Sequence, residues 1–313
     1  MVIDKKYTNL FHNISREAAY ASFNFVGKKN KTAADKAAVD SMRNNLNKID
    51  MRGRIVIGEG ELDEAPMLYI GENLGTGNGP ELDIAVDPLE GTNFVANNLH
   101  GALSVIAVTE KSNLLNAPET YMHKIAISSS EKGIVDLDNT VTKNIKNLAE
   151  SKNTRPDNLT ACLLDRPRHK KYIDELKSLG VKLRLITDGD VSGALLVTNE
   201  KYDVDIFFGI GGSPEGVLAA AALDAFECFF QAKFIFENNK DKIRAQKMGI
   251  KDLDKKYELN EIVSGDSIFC ATGITSGDLV EGINIKEGFY TSETLITHKS
   301  SKLKKIFKSK NYI

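Results

Sequence analysis

Apolar positions recur at helical spacing between Tyr7 and Phe25, with Leu10, Ile14, Ala18 and Ala21 among them, which predicts a first helix. Past Gly27 and a basic loop, Lys28-Lys29-Asn30-Lys31, a second helix is expected from about Thr32, with Ala34, Ala38, Met42 and Leu46 near one face and Asp35 in its first turn. The pattern then changes to strands. Arg54-Ile55-Val56-Ile57 is a β-branched run that enters a Gly-flanked acidic turn, Gly58-Glu59-Gly60-Glu61. Leu82 to Val86 is apolar apart from Asp83, and Pro88 has no N–H to give a central ladder, so this strand is expected to end at Asp87. Gly91-Thr92-Asn93 supplies a turn and cap before Phe94-Val95-Ala96. Further strands are expected at Ala102–Val108, Lys124–Ser128, Thr160–Leu164, Leu183–Ile186, Ile206–Phe208 and Ile268–Ala271. Helices are expected around Leu148, up to about Leu179, through Leu195, and over Val217–Phe226. The strand–helix alternation from Thr160 to Phe226 predicts an α/β fold with functional groups where strand ends face helix starts.

At 313 residues the chain is read as a single unit over 1–313, with lobes about 1–155 and 156–313. Charged residues make up 27% and nearly balance, leaving a net charge of -2, which argues against a nucleic-acid partner. No apolar run approaches the ~20 residues that would span a bilayer, and the first residues lack the apolar region of a secretion signal. Cys162, Cys228 and Cys270 are far apart and mostly in apolar runs, as expected of buried, reduced thiols in a cytoplasmic protein. The Lys-rich end, Lys302 to Lys310, is read as a solvated face, and Gly75 to Gly79 as a flexible loop without chemistry.

Two acidic clusters change the picture. Asp87 and Glu90 flank a proline at a strand end, just before a helix start whose free N–H groups suit a phosphate. Carboxylates beside a phosphate repel it unless a cation lies between them. Taken alone, the stretch is better read as a capped surface turn, and Asp35 alone as a favourable charge on the helix dipole. The upstream cluster of Glu59, Glu61, Asp63 and Glu64 favours a cation, because four acids within six residues repel one another unless solvated or neutralised. Asp35, Glu59, Asp87, Glu90 and Glu215 are all oxygen donors with no His or Cys close in sequence, a set that suits Mg²⁺ or Mn²⁺ rather than zinc. Two such ions can activate a water and stabilise the leaving oxygen of a phosphoryl displacement. Arg166 and Arg168 flank the rigid Pro167. They are either surface arginines on a loop or a fork for a second anionic group. His123 and His169 are read as core or surface histidines.

Residues 56–72, Val-Ile-Gly-Glu-Gly-Glu-Leu-Asp-Glu-Ala-Pro-Met-Leu-Tyr-Ile-Gly-Glu, closely resemble the signature of the bacterial class II fructose-1,6-bisphosphatases. Asp87-Pro88-Leu89-Glu90-Gly91-Thr92 resembles a motif of the wider lithium-sensitive phosphatase superfamily, which includes inositol monophosphatases. Arg166-Pro167-Arg168-His169, Asp188-Gly189-Asp190-Val191, Gly209-Ile210-Gly211-Gly212 and Pro214-Glu215-Gly216 extend the match over nearly the whole chain. It is weakest from about Gln231 to Lys247 and at the Lys-rich end. The resemblance implies a layered α-β-α-β-α sandwich. It implies metal ligation by Asp35, Glu59, Asp87, Glu90 and Glu215, with Thr92, Asp35 and Glu59 serving the attacking water. Substrate contacts are implied at Lys31, Glu90, Gly91, Thr92, Tyr121, Arg166, Pro167, Arg168, Asp188, Gly189, Asp190 and Gly212. The implied reaction removes the 1-phosphate of fructose 1,6-bisphosphate with Mn²⁺ or Mg²⁺. The implied setting is a cytoplasmic homo-oligomer, dimer or tetramer, whose partner is a small sugar bisphosphate. Sedoheptulose 1,7-bisphosphate or an inositol phosphate is the alternative substrate, and a non-catalytic sugar-phosphate sensor the alternative class. Two departures stand out: Arg166 replaces the Lys of some relatives, and Ser213 the Ala of some.

Overall fold

The amphipathic stretches at the start of the chain form two helices in the computed structural model, which describes residues 2–58 and 68–313. They are α1 (Lys6–Phe23) and α2 (Lys31–Leu46). Asn30 caps α2 by accepting from the Ala33 N–H at 3.0 Å. That cap starts the helix at Lys31, so Asp35 falls in the second turn rather than the first. There the helix dipole acts on it less, which weakens the capping explanation for its charge.

Both helices cover one face of a mixed sheet that begins with β1 (Arg52–Ile57), β2 (Asn73–Leu74), β3 (Glu81–Glu90) and β4 (Leu103–Glu110). Alternation along the strands sends Leu82, Ile84, Val86, Ile106 and Val108 toward Phe11, Ile14, Ala18 and Met42 of the helices. Phe11 has no exposed surface; truncating such a ring to Ala costs about 3–5 kcal/mol. The β3 strand does not stop at Asp87. Its ladder with β4 shifts register between Asp87 and Glu90, so Pro88 lies in a bulge that needs no N–H from it. The short helix α3 (Thr92–Asn97) follows at once, with Gly91 at its start in the left-handed region at φ 85°. The Gly75–Gly79 loop is tied down: Thr76 N–H donates to the Ile49 carbonyl at 2.9 Å, and Thr76 Oγ1 to Asp50 Oδ1 at 2.8 Å.

From Asn116 to Ile262 the chain builds a second unit. Its elements in order are β5 (Tyr121–Ile127), α4 (Val141–Ser151), β6 (Thr160–Leu164), α5 (Lys170–Ser178), β7 (Lys182–Ile186), α6 (Asp190–Leu195), β8 (Ile206–Gly212) and α7 (Ser213–Asp224). After them come β9 (Phe229–Ile235), α8 (Asn239–Lys247), β10 (Lys256–Glu258) and α9 (Leu259–Ile262). The strands form one sheet in the order β10-β9-β5-β8-β6-β7. β6 runs parallel to both β7 and β8, as the strand–helix alternation predicts. One face carries an apolar core of Ile125, Leu163 and Phe208 under Ile145, Leu148 and Leu176 of α4 and α5.

The chain then returns to the first sheet with β11 (Ser267–Gly273), β12 (Asn284–Lys286), β13 (Phe289–His298) and β14 (Leu303–Tyr312). Among the described residues that sheet has eight strands in the order β12-β13-β11-β4-β3-β1-β2, with β14 beside β13. The lobes expected about 1–155 and 156–313 are therefore corrected. The first unit joins residues 1–115 to 263–313, because β11 pairs with β4 across all the intervening chain. Lys304, Lys305, Lys308 and Lys310 are exposed along β14, the solvated face expected, and charge of this kind discourages further strand pairing. All three cysteines are buried thiols.

Candidate active site

In the second unit, the carboxyl ends of the three parallel strands carry the residues singled out from the sequence. β6 leads into Arg166-Pro167-Arg168, β7 into Asp188-Gly189-Asp190, and β8 ends on Gly212 before Glu215. Tyr121 opens the antiparallel β5 directly opposite Gly212, which brings it to the same end. This is the crevice where open α/β sheets bind ligands. A cleft of about 440 Å³ lies here, lined by Tyr121, Gly212 and Glu215 together with Glu237 and Asp241.

The arginine turn takes shape around Pro167, which starts a single 3-10 turn and leaves Arg166 extended at φ -133°. The Arg168 guanidinium stacks over the Tyr121 ring at 5.1 Å, and its Nε donates to the Ile210 carbonyl. Arg168 is exposed, so its remaining N–H groups face solvent near the cleft. His169 is not a surface group. Its Nε2 accepts from the Ile210 N–H at 2.8 Å, and burial lowers it from 6.5 to about 4. His123 bonds Tyr172 and is likewise lowered by burial. Both fit the core reading.

The strand expected over Ile206–Phe208 extends through the Gly-rich run and flows into a helix. Gly209 to Gly212 complete β8, and Pro214 and Glu215 lie in the first turn of α7, where proline is tolerated. Gly211 and Gly212 leave room for side chains of the site, and Gly216 for Met122 and Lys124. A Cβ on Gly211 would lie 2.6 Å from Asp190 Oδ2, and one on Gly212 would lie 2.0 Å from Glu215 Oε2. A Cβ on Gly216 would lie 3.3 Å from Lys124 Cδ. Ser213, one of the two departures from the family pattern, is fully buried and its Oγ donates to the Pro118 carbonyl. It ties the loop before Tyr121 to the start of α7.

Lys124 escaped the sequence reading. It sits in an apolar strand run with no exposed surface, and its ammonium binds Asp190 Oδ2 and donates to the Gly212 carbonyl at 3.1 Å. The signal that could have found it is alternation: Met122, Lys124 and Ala126 share one face of a central strand, so a lysine there must point inward. Asp190 is itself buried. Desolvation pushes the Glu215 carboxyl up, Lys124 opposes that, and Asp190 and Asp188 add to it.

The first unit holds the other group. Asp87 and Glu90 flank the bulge of β3, Thr92 is the first residue of α3, and α2, which carries Lys31 and Asp35, packs on both β3 and α3. The Gly27 and Lys29 N–H groups donate to the Val95 and Ala96 carbonyls at 2.9 and 3.0 Å, fixing the basic loop against α3. Among the described residues no three His, Cys, Asp or Glu side chains form a group able to hold a metal ion. Glu59, Glu61, Asp63 and Glu64 lie outside the described residues, so the upstream acidic cluster has no geometry here. The donor chemistry still fits a hard cation. The four described candidates offer only carboxylate oxygens, and Glu215 is desolvated in a way that disfavours its charge without a counter-ion.

The family model for bacterial fructose-1,6-bisphosphatase, glpX-encoded, matches residues 5–311. A D-fructose 1,6-bisphosphatase class 2/sedoheptulose 1,7-bisphosphatase of Trichodesmium erythraeum is 41% identical, over 92% of this chain and 91% of its own. One of the same description from Prochlorococcus marinus (strain MIT 9515) is 42% identical, over 90% and 89%. Among solved structures, inositol monophosphatase from Anabaena (Nostoc) sp. PCC 7120 matches with a TM-score of 0.40 at 12% identity, over 71% of this chain and 82% of that one.

Proposed function

Because the chain belongs to the bacterial fructose-1,6-bisphosphatase family, we propose that it hydrolyses the 1-phosphate of fructose 1,6-bisphosphate to give fructose 6-phosphate and inorganic phosphate. The observation that carries this reading is the convergence of Tyr121, Arg168, Gly212 and Glu215 at one end of the second sheet, beside a cleft. Arg166 and Arg168 hold the phosphate far from the reacting one, as paired guanidinium forks do. Tyr121 and the Asp188-Gly189-Asp190 turn border the sugar. Lys31, Glu90 and Gly91 contact the reacting end. Asp35, Glu59, Asp87, Glu90 and Glu215 would hold Mg²⁺ or Mn²⁺, which lowers the pKa of water and neutralises charge on the leaving oxygen. The Thr92 hydroxyl orients the attacking water, and Asp35 and Glu59 accept its proton. The N–H groups of Gly91 to Asn93 face the charge that grows on the phosphoryl oxygens.

The relatives, described as sedoheptulose 1,7-bisphosphatases as well, favour a second substrate, sedoheptulose 1,7-bisphosphate, processed by the same residues. We place the enzyme in the cytoplasm, as a dimer or tetramer. Among the described residues no helix is long and apolar enough to cross a membrane. Phosphate release from a panel of sugar and inositol phosphates, with Mg²⁺ and Mn²⁺ compared, tests the proposal. The bisphosphates should turn over, EDTA should abolish turnover, and either ion should restore it. Full activity in excess EDTA, or no release from any bisphosphate, refutes it.

A further inference from the structure

A lysine whose whole side chain is buried is costly to keep charged, and it persists only where its ammonium is well partnered. Lys124 satisfies this with two partners from two different turns. Asp190 belongs to the turn between β7 and α6, and Gly212 to the junction of β8 and α7. Two neighbouring glycines leave room for the pair. Gly211 lacks the Cβ that would lie 3.2 Å from Lys124 Nζ, and Gly216 the one that would lie 3.3 Å from its Cδ. Three residues beyond Gly212 stands Glu215. One ammonium therefore cross-links two of the three strand-end turns, one of which, the β8–α7 junction, lines the cleft.

We propose that Lys124 is a positioning residue: acting through Asp190 and the Gly212 carbonyl, it holds the β7 and β8 turns in the geometry that receives the sugar bisphosphate. The claim rests on the function proposed above. Lys124 touches neither substrate nor reacting atoms, so its removal should weaken binding rather than slow the chemical step.

The test uses K124M, D190N and the double variant K124M/D190N in the full chain, with kcat and KM on fructose 1,6-bisphosphate under saturating Mn²⁺ and Tm by calorimetry. Each single change should raise KM at least about tenfold while kcat stays within about threefold, the pattern of lost binding. The double variant should raise KM no further than the worse single one, because Lys124 acts on binding through Asp190, the residue that itself borders the sugar. It should also unfold at a higher temperature than K124M, since no unpaired charge is left buried. A merely structural pair would regain KM as it regained Tm, and that result overturns the proposal. So does an unchanged KM in K124M, or KM losses that multiply in the double variant. A wild-type chain that releases no phosphate from fructose 1,6-bisphosphate sinks the functional reading as well, whereas an active wild type with a normal K124M sinks the lysine alone.

Discussion

Gly212→Ala separates the site from the fold. Gly212 has φ -55° and ψ 146°, a backbone that alanine adopts without strain. At such a position the substitution by itself stabilises by about 0.4–1 kcal/mol, through the unfolded chain. The new methyl, however, would lie 2.0 Å from Glu215 Oε2 and 2.9 Å from its Cδ, where real Cβ contacts essentially never come under 3.0 Å. The carboxylate must therefore recede by about 1 Å, and as the end of a flexible side chain it can do so without moving the helix. A misplacement of about 1 Å in a reacting constellation costs up to about 100-fold. The expected outcome is a Tm at or slightly above that of the wild type with kcat/KM down by about 100-fold, measured by phosphate release with Mn²⁺ in excess. Activity within threefold of wild type, at unchanged Tm, would remove Glu215 from the proposed ligands. A large loss of Tm would show that the methyl displaces backbone instead.

Thr92→Ala leaves every carboxylate in place, so kcat should fall with little change in KM; a near-native kcat assigns Thr92 to the helix start alone. Arg168→Ala removes a charged donor worth ~1.5–3 kcal/mol, so kcat/KM on fructose 1,6-bisphosphate should drop roughly ten- to 100-fold and far less on a monophosphate. Equal losses on both would place the arginine in the fold, where it already caps Tyr121. His12 and His169 are each lowered by burial from 6.5 to about 4. The unfolded chain takes up these protons first, so stability should fall as pH drops from about 6.5 to 4, by ~1.4 kcal/mol per histidine per pH unit. Desolvated Asp83 and Glu215 titrate with the opposite sign, so the clean measurement is the difference in Tm slope between wild type and His12→Phe. Identical slopes refute the assignment.

Most strands and helices were legible because each depends on neighbours in sequence: Thr160–Leu164 is apolar and bounded by turns, and it is a strand over the same residues. Three features were not. Pro88 broke the expected strand on local grounds, yet a bulge against β4 spares it any ladder duty. The strand expected over Ile206–Phe208 runs on to Gly212, because the missing side chains of its glycines make room for Asp190, Lys124 and Glu215. The division of the chain was hidden because β11 finds its partner in β4, a pairing that no window of sequence contains. On the site, resemblance implied Tyr121, Arg168 and Gly212 as contacts, and the structure brings them to one sheet end; Lys124 belongs to no motif and is marked in sequence only by alternation along β5.

The return of β11 beside β4 also sets an order of assembly. The second unit, residues 116–262, is one uninterrupted stretch, while the first waits for residues 263–313. Leu114 bridges to Val263, so the stretch leaves and rejoins its host at neighbouring points. During synthesis the inserted unit can complete its own sheet before β11 exists, and once folded it presents its two ends as a short connection rather than a long floppy loop. The host sheet then gains its last strands at little entropic cost. A chain stopped after Ile262 should hold a protease-resistant inserted unit attached to an unfinished, protease-sensitive host.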